Sequence, residues 1–239
     1  MLILPAIDIL DGKCVRLRQG DFQSPTVYSD SPEATARMFL SSGFPFLHVV
    51  DLDGARDGTG RNTEAIASLV AIKGISVQTG GGVRNNDDVK RLLNIGVQRI
   101  VTGSVAVKDP ETVLRWISEY GPHRFTIALD LRGDTIATEG WTTDDHHSVQ
   151  DLIGWYQEPG NIPILCTDIE RDGMMSGPNI DLYRKLLAGF PGIELIASGG
   201  ISSIDDVKLL RGAGVSATVI GKALYEGAID LDDLRKLND

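Results

Sequence analysis

Cysteine, cationic charge and long apolar runs are all scarce in this chain. Its two cysteines, Cys14 and Cys166, are too few for a disulfide framework and lack metal-ligand spacing, so both are read as reduced thiols filling small buried positions. The opening MLILPAIDIL is broken by Pro5 and Asp8 and has no basic leader, which argues against a signal peptide or membrane span and points to the cytoplasm. Lys and Arg total 23 against 33 Asp and Glu, a net charge of −10 that would repel nucleic acid and anionic membrane alike. Any anionic ligand must then be held by local donors.

What is present is enough for one full core. At 239 residues, 42% of them hydrophobic, the chain matches the roughly 250 residues of a (β/α)8 TIM barrel. Short runs rich in β-branched residues fall at 2–7, 46–50, 75–77, 99–101, 125–129, 162–166, 194–197 and 217–220, the signature of strands buried on both faces. Segments of helical period lie between them, among others at 32–42, 62–72, 86–94, 110–119, 181–188 and 203–211, several opening on Ser, Asn, Asp or an early proline. Right-handed βαβ units of even spacing close after eight strands, so a closed barrel is expected rather than a doubly wound sheet. The expectation is a single α/β domain over 1–239 and a monomer.

The barrel contains itself twice. GGVRNNDDVKRLLNIGVQRIVTG (81–103) returns 118 positions later as GGISSIDDVKLLRGAGVSATVIG (199–221), with 11 of 23 positions identical and no gap, which predicts half-barrels of about 1–122 and 123–239. Each copy reads as a phosphate cradle, because glycines after an apolar strand let backbone N–H groups approach an anion. The first cradle holds Gly81, Gly82, Gly103 and Ser104, with Arg84 adding charge, and the second Gly199, Gly200, Gly221 and Lys222. A glycine pair alone marks many tight turns. The symmetry argues for two anion sites and a ligand with phosphate at both ends.

Chemistry in such barrels sits where strands end at the C-terminal face. Asp8 in LPAID and Asp130 in TIALD end equivalent strands of the two halves, which places two carboxylates on opposite sides of the mouth as an acid–base layout. Asp51 and Asp168 end the second and sixth strands, each ahead of an Arg-Asp-Gly at 56–58 and 171–173. Aspartates at such ends commonly cap helices, the reading favoured for Asp51 and Asp168; for Asp8, Asp130 and Asp172, chemistry is favoured. Adjacent residues rarely converge on one ion, so Asp144-Asp145-His146-His147 is not read as a metal site. His48 is read as a core or rim histidine.

The stretches LPAIDILDGKCVRLRQGD, HVVDLDGA, GGGVR, VTGSVAVKDP, ALDLRGD, TDIERDGMMSGPN, ASGGIS and IGKALYEG resemble, in order and over nearly the whole chain, the phosphoribosyl-aminomethylideneamino-imidazole carboxamide isomerases of histidine biosynthesis. The residues 15–21 (VRLRQGD) and 221–225 (GKALY) follow the isomerase pattern rather than that of the pathway's sister cyclase. The resemblance implies a long substrate with a phosphoribosyl group at either end, no metal or cofactor, and an Amadori rearrangement of an aminoaldose to an aminoketose. It implies Asp8 as general base at C2, Asp130 as general acid opening the furanose with Asp172 as its rival, and Thr167 bonding the sugar or orienting a carboxylate. Gly177 belongs to the binding set through the motif it stands in. Loops at 16–28, 132–147 and 170–179 are long enough to be lids, carrying Arg18 toward phosphate or carboxamide and Trp141 onto the imidazole. Two alternatives stand beside this reading: a dual-specificity isomerase that also takes phosphoribosyl-anthranilate, and a non-catalytic bisphosphate-binding barrel. Relatives with dual activity resemble this chain but place an arginine two residues before the tryptophan, where this chain has Glu139, expected to repel anthranilate.

Overall fold

The computed structural model describes residues 1–18, 20–58 and 60–237, with the side chain of Arg18 outside the described part. Eight strands form the barrel: β1 Leu2–Leu10, β2 Phe46–Asp51, β3 Ser76–Gly80, β4 Arg99–Thr102, β5 Phe125–Arg132, β6 Ile164–Asp168, β7 Leu195–Ser198 and β8 Ala217–Ile220. Each pairs in parallel with the next, and β8 returns to β1 with Ala217 opposite Leu2, so no barrel edge is left open. The expected (β/α)8 barrel is therefore present and closed.

Alternation along the strands divides the apolar residues between two cores. Leu4, Ala6, Val101, Leu165, Ile196, Ala217 and Val219 fill the barrel interior. Their chain neighbours, such as Ile3, Ile7, Ile100 and Ala197, pack outward against the helices with Phe39, Trp116, Tyr156 and Tyr183. Burial on both faces is why the strands read as continuous apolar runs. One interior layer is polar: Gln78 Nε2 lies 2.9 Å from His48 Nδ1. Burial, with the nearby Arg16 charge, pushes His48 down to about 4, so it is a neutral interior histidine at physiological pH.

The helices end where the sequence says they should. Ser31 and Asp109 cap Pro32–Ser41 and Pro110–Tyr120, each with proline in the first turn, and Gly214 at φ 93° stops Ile204–Ala213. Asn85 with Asp88 and Ser203 with Asp206 form capping boxes at equivalent positions of the repeat, which accounts for the second aspartate of its shared Asp-Asp-Val-Lys. No helix among the described residues is long and apolar enough to cross a membrane.

Two of the three expected lids are β-hairpins rather than loops. Lys13–Arg18 and Asp21–Ser29 fold back on the end of β1, with Val15 opposite Asp8. Thr135–Thr138 and Thr143–Asp145 fold back on β5, with Ala137 opposite Asp130. Both catalytic candidates thus sit at the root of a hairpin, where main-chain pairing on that side fixes the direction of their side chains. The short helices Leu52–Asp57, Ser104–Lys108 and Lys222–Tyr225 were not anticipated, being too short to show a period.

Candidate active site

The rim is built from one device used twice. Asp51 accepts from Gly54 N and from Asn62 Nδ2 at 2.6 Å, while Asp168 accepts from Glu170 N and from Asn179 Nδ2 at 2.7 Å. In both cases the asparagine lies 11 residues after the aspartate. These aspartates are structural, as expected of cap positions, and the asparagines are partners the sequence reading passed over. The bond pairs tie the turns after β2 and β6 over the glycines that follow β3 and β7. A Cβ on Gly81 would lie 2.1 Å from Asp51 O and one on Gly199 2.7 Å from Asp168 O. Gly82 and Gly200 would likewise meet Gly54 O and Gly177 O, each at 2.3 Å.

These four glycines all have positive φ, between 77° and 103°, and both pairs are demanded first by close protein packing. Gly103 and Gly221 differ. Their backbones match, at φ −107°, ψ −98° and φ −114°, ψ −95°, and Gly103 faces only Ala128 Cβ at 3.8 Å, while Gly221 faces the Arg16 guanidinium. Gly81→Val is therefore expected to lower Tm by about 10 °C or more through backbone overlap. Gly103→Ala should cost less stability yet weaken a phosphorylated ligand by about tenfold, which thermal melts and ligand titration on the two variants would separate.

Three carboxyl groups converge at the mouth. Asp8 on β1 and Asp130 on β5 stand across the barrel from each other, and Asp172, on the turn after β6, acts electrostatically on both. All three are raised above the ordinary aspartate value, in each case chiefly by burial. Arg16 opposes this for Asp8, with its Nη1 2.8 Å from Asp8 Oδ2, and also for Asp172. Asp130 is steadied in its charged form by Trp141 Nε1, which donates to Oδ2 at 2.8 Å, and by the Thr167 hydroxyl. Thr167 lies beside Asp130 in the β5–β6 register. Of the two roles the resemblance allowed for Thr167, its contact here is with a carboxylate.

A carboxyl raised by burial has a definite pH signature. Between the ordinary value of 3.8 and its folded value the native state holds the extra proton, so stability falls as pH rises through that window. Asp130→Asn removes this loss. We expect the variant to melt a few degrees above the unmodified protein at pH 7, with the gap closing below about pH 4; an unchanged or lowered Tm at pH 7 would show that the carboxylate is not held at a cost.

The covering segments meet over these groups. The Trp141 ring packs so closely on Gly20 at the tip of the first hairpin that a Cβ there would lie 2.9 Å from it. Arg132 braces the second hairpin through Trp141 O at 3.0 Å and Asp144 at 2.7 Å. The turn after β6 is drawn onto the second cradle by Gly177 N to Gly200 O, 2.9 Å, and by Lys222 Nζ to Gly173 O, 2.9 Å. Arg84 is exposed, with its guanidinium against Gly58 at the rim. Arg18 ends the first hairpin strand; its neighbour two residues back, Arg16, is the cation that meets Asp8.

The second hairpin's charged residues are paired within the protein. Glu139 is not an isolated charge at the mouth: Lys108 and Thr143 both donate to its carboxylate, and its N–H donates to Ser104 Oγ at 2.9 Å. Glu139 and Lys108 thus form a pair of opposite charges. In the Asp144–His147 stretch, Asp144 is taken by Arg132 and Asp145 by His147, and no group of three or more His, Cys, Asp or Glu able to hold a metal ion occurs among the described residues.

Fold and mouth together define a (β/α)8 barrel with its polar groups gathered at the C-terminal ends of the strands, the face where such barrels carry out chemistry. The chain belongs to the histidine biosynthesis protein family, whose model matches residues 2–230. Among curated relatives it is 45% identical over 235 residues to a protein of Stenotrophomonas maltophilia, covering 96% of each chain. It is 43% identical over 233 residues to one of Bacteroides thetaiotaomicron, covering 98% of each, and 43% identical over 231 residues to one of Psychromonas ingrahamii, covering 95% of this chain and 94% of that one. All three are named 1-(5-phosphoribosyl)-5-((5-phosphoribosylamino)methylideneamino)imidazole-4-carboxamide isomerase.

Proposed function

We propose that this chain is an aldose–ketose isomerase that converts the phosphoribosylaminomethylideneamino-imidazole carboxamide aminoaldose to its phosphoribulosyl aminoketose in histidine biosynthesis. The observation that carries the reading is the crossing of two symmetries: glycine cradles at the ends of β3–β4 and β7–β8, and aspartates at the ends of β1 and β5 on the perpendicular diagonal. A substrate phosphorylated at both ends spans the cradles, and one of its sugars then lies between Asp8 and Asp130.

The reaction is a proton relocation, with no atom gained or lost overall. Asp130, protonated, gives its proton to the furanose ring oxygen as the C1–O bond breaks, and the nitrogen lone pair on C1 completes a Schiff base. Asp8, ionised and held by Arg16, removes the C2 proton to give an enolamine; the proton on Asp8 returns to C1 as the 2-hydroxyl loses its own to become the ketone, and that proton restores Asp130. The mechanism needs one carboxyl acid and one base at the same pH, and different neighbours supply this: a guanidinium beside Asp8, only neutral donors beside Asp130. The covering hairpins exclude water and so strengthen both effects.

Complementation tests the assignment. Expression in a strain lacking this isomerase should restore growth without histidine, and expression in a strain lacking phosphoribosyl-anthranilate isomerase should not restore growth without tryptophan, because Glu139 neutralises Lys108 and so does not leave it as a free cation for the anthranilate carboxylate. No rescue of the histidine auxotroph by soluble protein would remove the proposal.

A further inference from the structure

We infer that Ser104 and Lys222 are positioning residues that couple the filling of each phosphate cradle to the placement of the covering segment beside it. They occupy one position of the repeat, 118 residues apart, directly after the equivalent glycines 103 and 221. Each already holds a covering segment. Ser104 Oγ accepts the N–H of Glu139 at 2.9 Å, and two residues on, Trp141 Nε1 donates to Asp130. Lys222 Nζ donates to Gly173 O at 2.9 Å, in the residue that directly follows Asp172 and whose backbone N–H favours the ionised carboxylate.

The donor inventory gives both side chains a second hand. A hydroxyl that accepts from Glu139 keeps its own proton to donate, and an ammonium that spends one N–H on Gly173 has two more. With phosphate in the cradle, Glu139 N–H, Ser104 O–H and a phosphate oxygen form a chain in which each bond polarises the next. Lys222 bridges phosphate and the Asp172 turn in the same way. Different side chains thus do one job in the two halves, and each cradle reports to a different carboxylate: the first through Trp141 to Asp130, the second through Gly173 to Asp172. A ligand with one phosphate would set one covering segment only. This inference rests on the two-cradle reading of the proposed function.

The test uses the full chain labelled with 5-fluorotryptophan, with the Trp141 resonance assigned by its absence in Trp141→Phe, titrated with inorganic phosphate while binding is followed separately by 31P NMR. Phosphate should shift the Trp141 resonance in the unmodified protein and in Ser104→Thr, which keeps the hydroxyl. In Ser104→Ala phosphate should still bind, with the Trp141 resonance unmoved. An equal shift in Ser104→Ala overturns the coupling while leaving the cradles intact, whereas no phosphate binding to the unmodified protein overturns the cradle reading and the coupling with it. On the other side, Lys222→Met should lower kcat by about tenfold in addition to raising KM, with Lys222→Arg recovering kcat; a rise in KM alone would reduce Lys222 to a phosphate ligand.

Discussion

Asp8→Asn should lose about 100-fold to 10,000-fold in kcat while still binding substrate, because the change removes the base and leaves both cradles in place. The amide is close in size, and its oxygen can still accept from Arg16, whose guanidinium lies 2.8 Å from Asp8 Oδ2. Val15 still pairs with residue 8 through the main chain, so the hairpin root is retained. What disappears is proton-accepting capacity at C2. Arg16 then faces Asp172 without the competing carboxylate, so substrate affinity should change by no more than a few fold. Stopped-assay kinetics beside a binding titration would check this, and turnover near that of the unmodified protein would remove Asp8 from the mechanism.

The second large effect concerns the acid. Asp130→Asn should lose more in kcat than Asp172→Asn, by about tenfold or more, because Asp130 is raised by burial with no cation beside it, whereas Arg16 opposes the same shift at Asp8 and Asp172. Asp172 shares Arg16 with Asp8, and a guanidinium favours its ionised form. In the Asp172 variant the loss should come from weaker control of the neighbouring carboxyls, since Asp172 raises both Asp8 and Asp130. The opposite ranking would give the acid role to Asp172. The pH profile separates the two as well. Asp8 must be ionised to act, and burial holds it above the ordinary aspartate value of 3.8, so the acidic limb of kcat/KM should lie above that value and disappear in Asp8→Asn.

The eight strands were legible because burial on both faces leaves a continuous apolar run bounded by turn residues, and the repeat at 81–103 and 199–221 tied the halves together. Asp8, Asp130 and Thr167 could be singled out for a related reason: in a barrel the end of a strand is an address, and equivalent ends can be compared, while Asp172, four residues past the end of β6, was singled out by its Asp-Gly motif. Arg16 was missed because its address depends on antiparallel pairing, and residues 13–29 alternate too weakly to read as a hairpin; only the register Asp8 to Val15 brings the next residue to the carboxylate. The Asp51–Asn62 and Asp168–Asn179 bonds were equally hidden, although their common 11-residue spacing was a signal in plain view. Glu139 shows a different limit. Its charge could be read, but its partner Lys108 lies 31 residues away, and only the fold brings the two together.

Turnover by the unmodified protein is the most direct measurement of the central claim, that two symmetric cradles hold a doubly phosphorylated aminoaldose across an acid–base pair. Purified chain, given that substrate without added metal or cofactor, is predicted to convert it to the aminoketose, with Asp8→Asn binding the same substrate and converting almost none. Saturable binding of the aminoaldose by the unmodified protein with no ketose formed would contradict the account and leave a barrel that holds bisphosphates without acting on them.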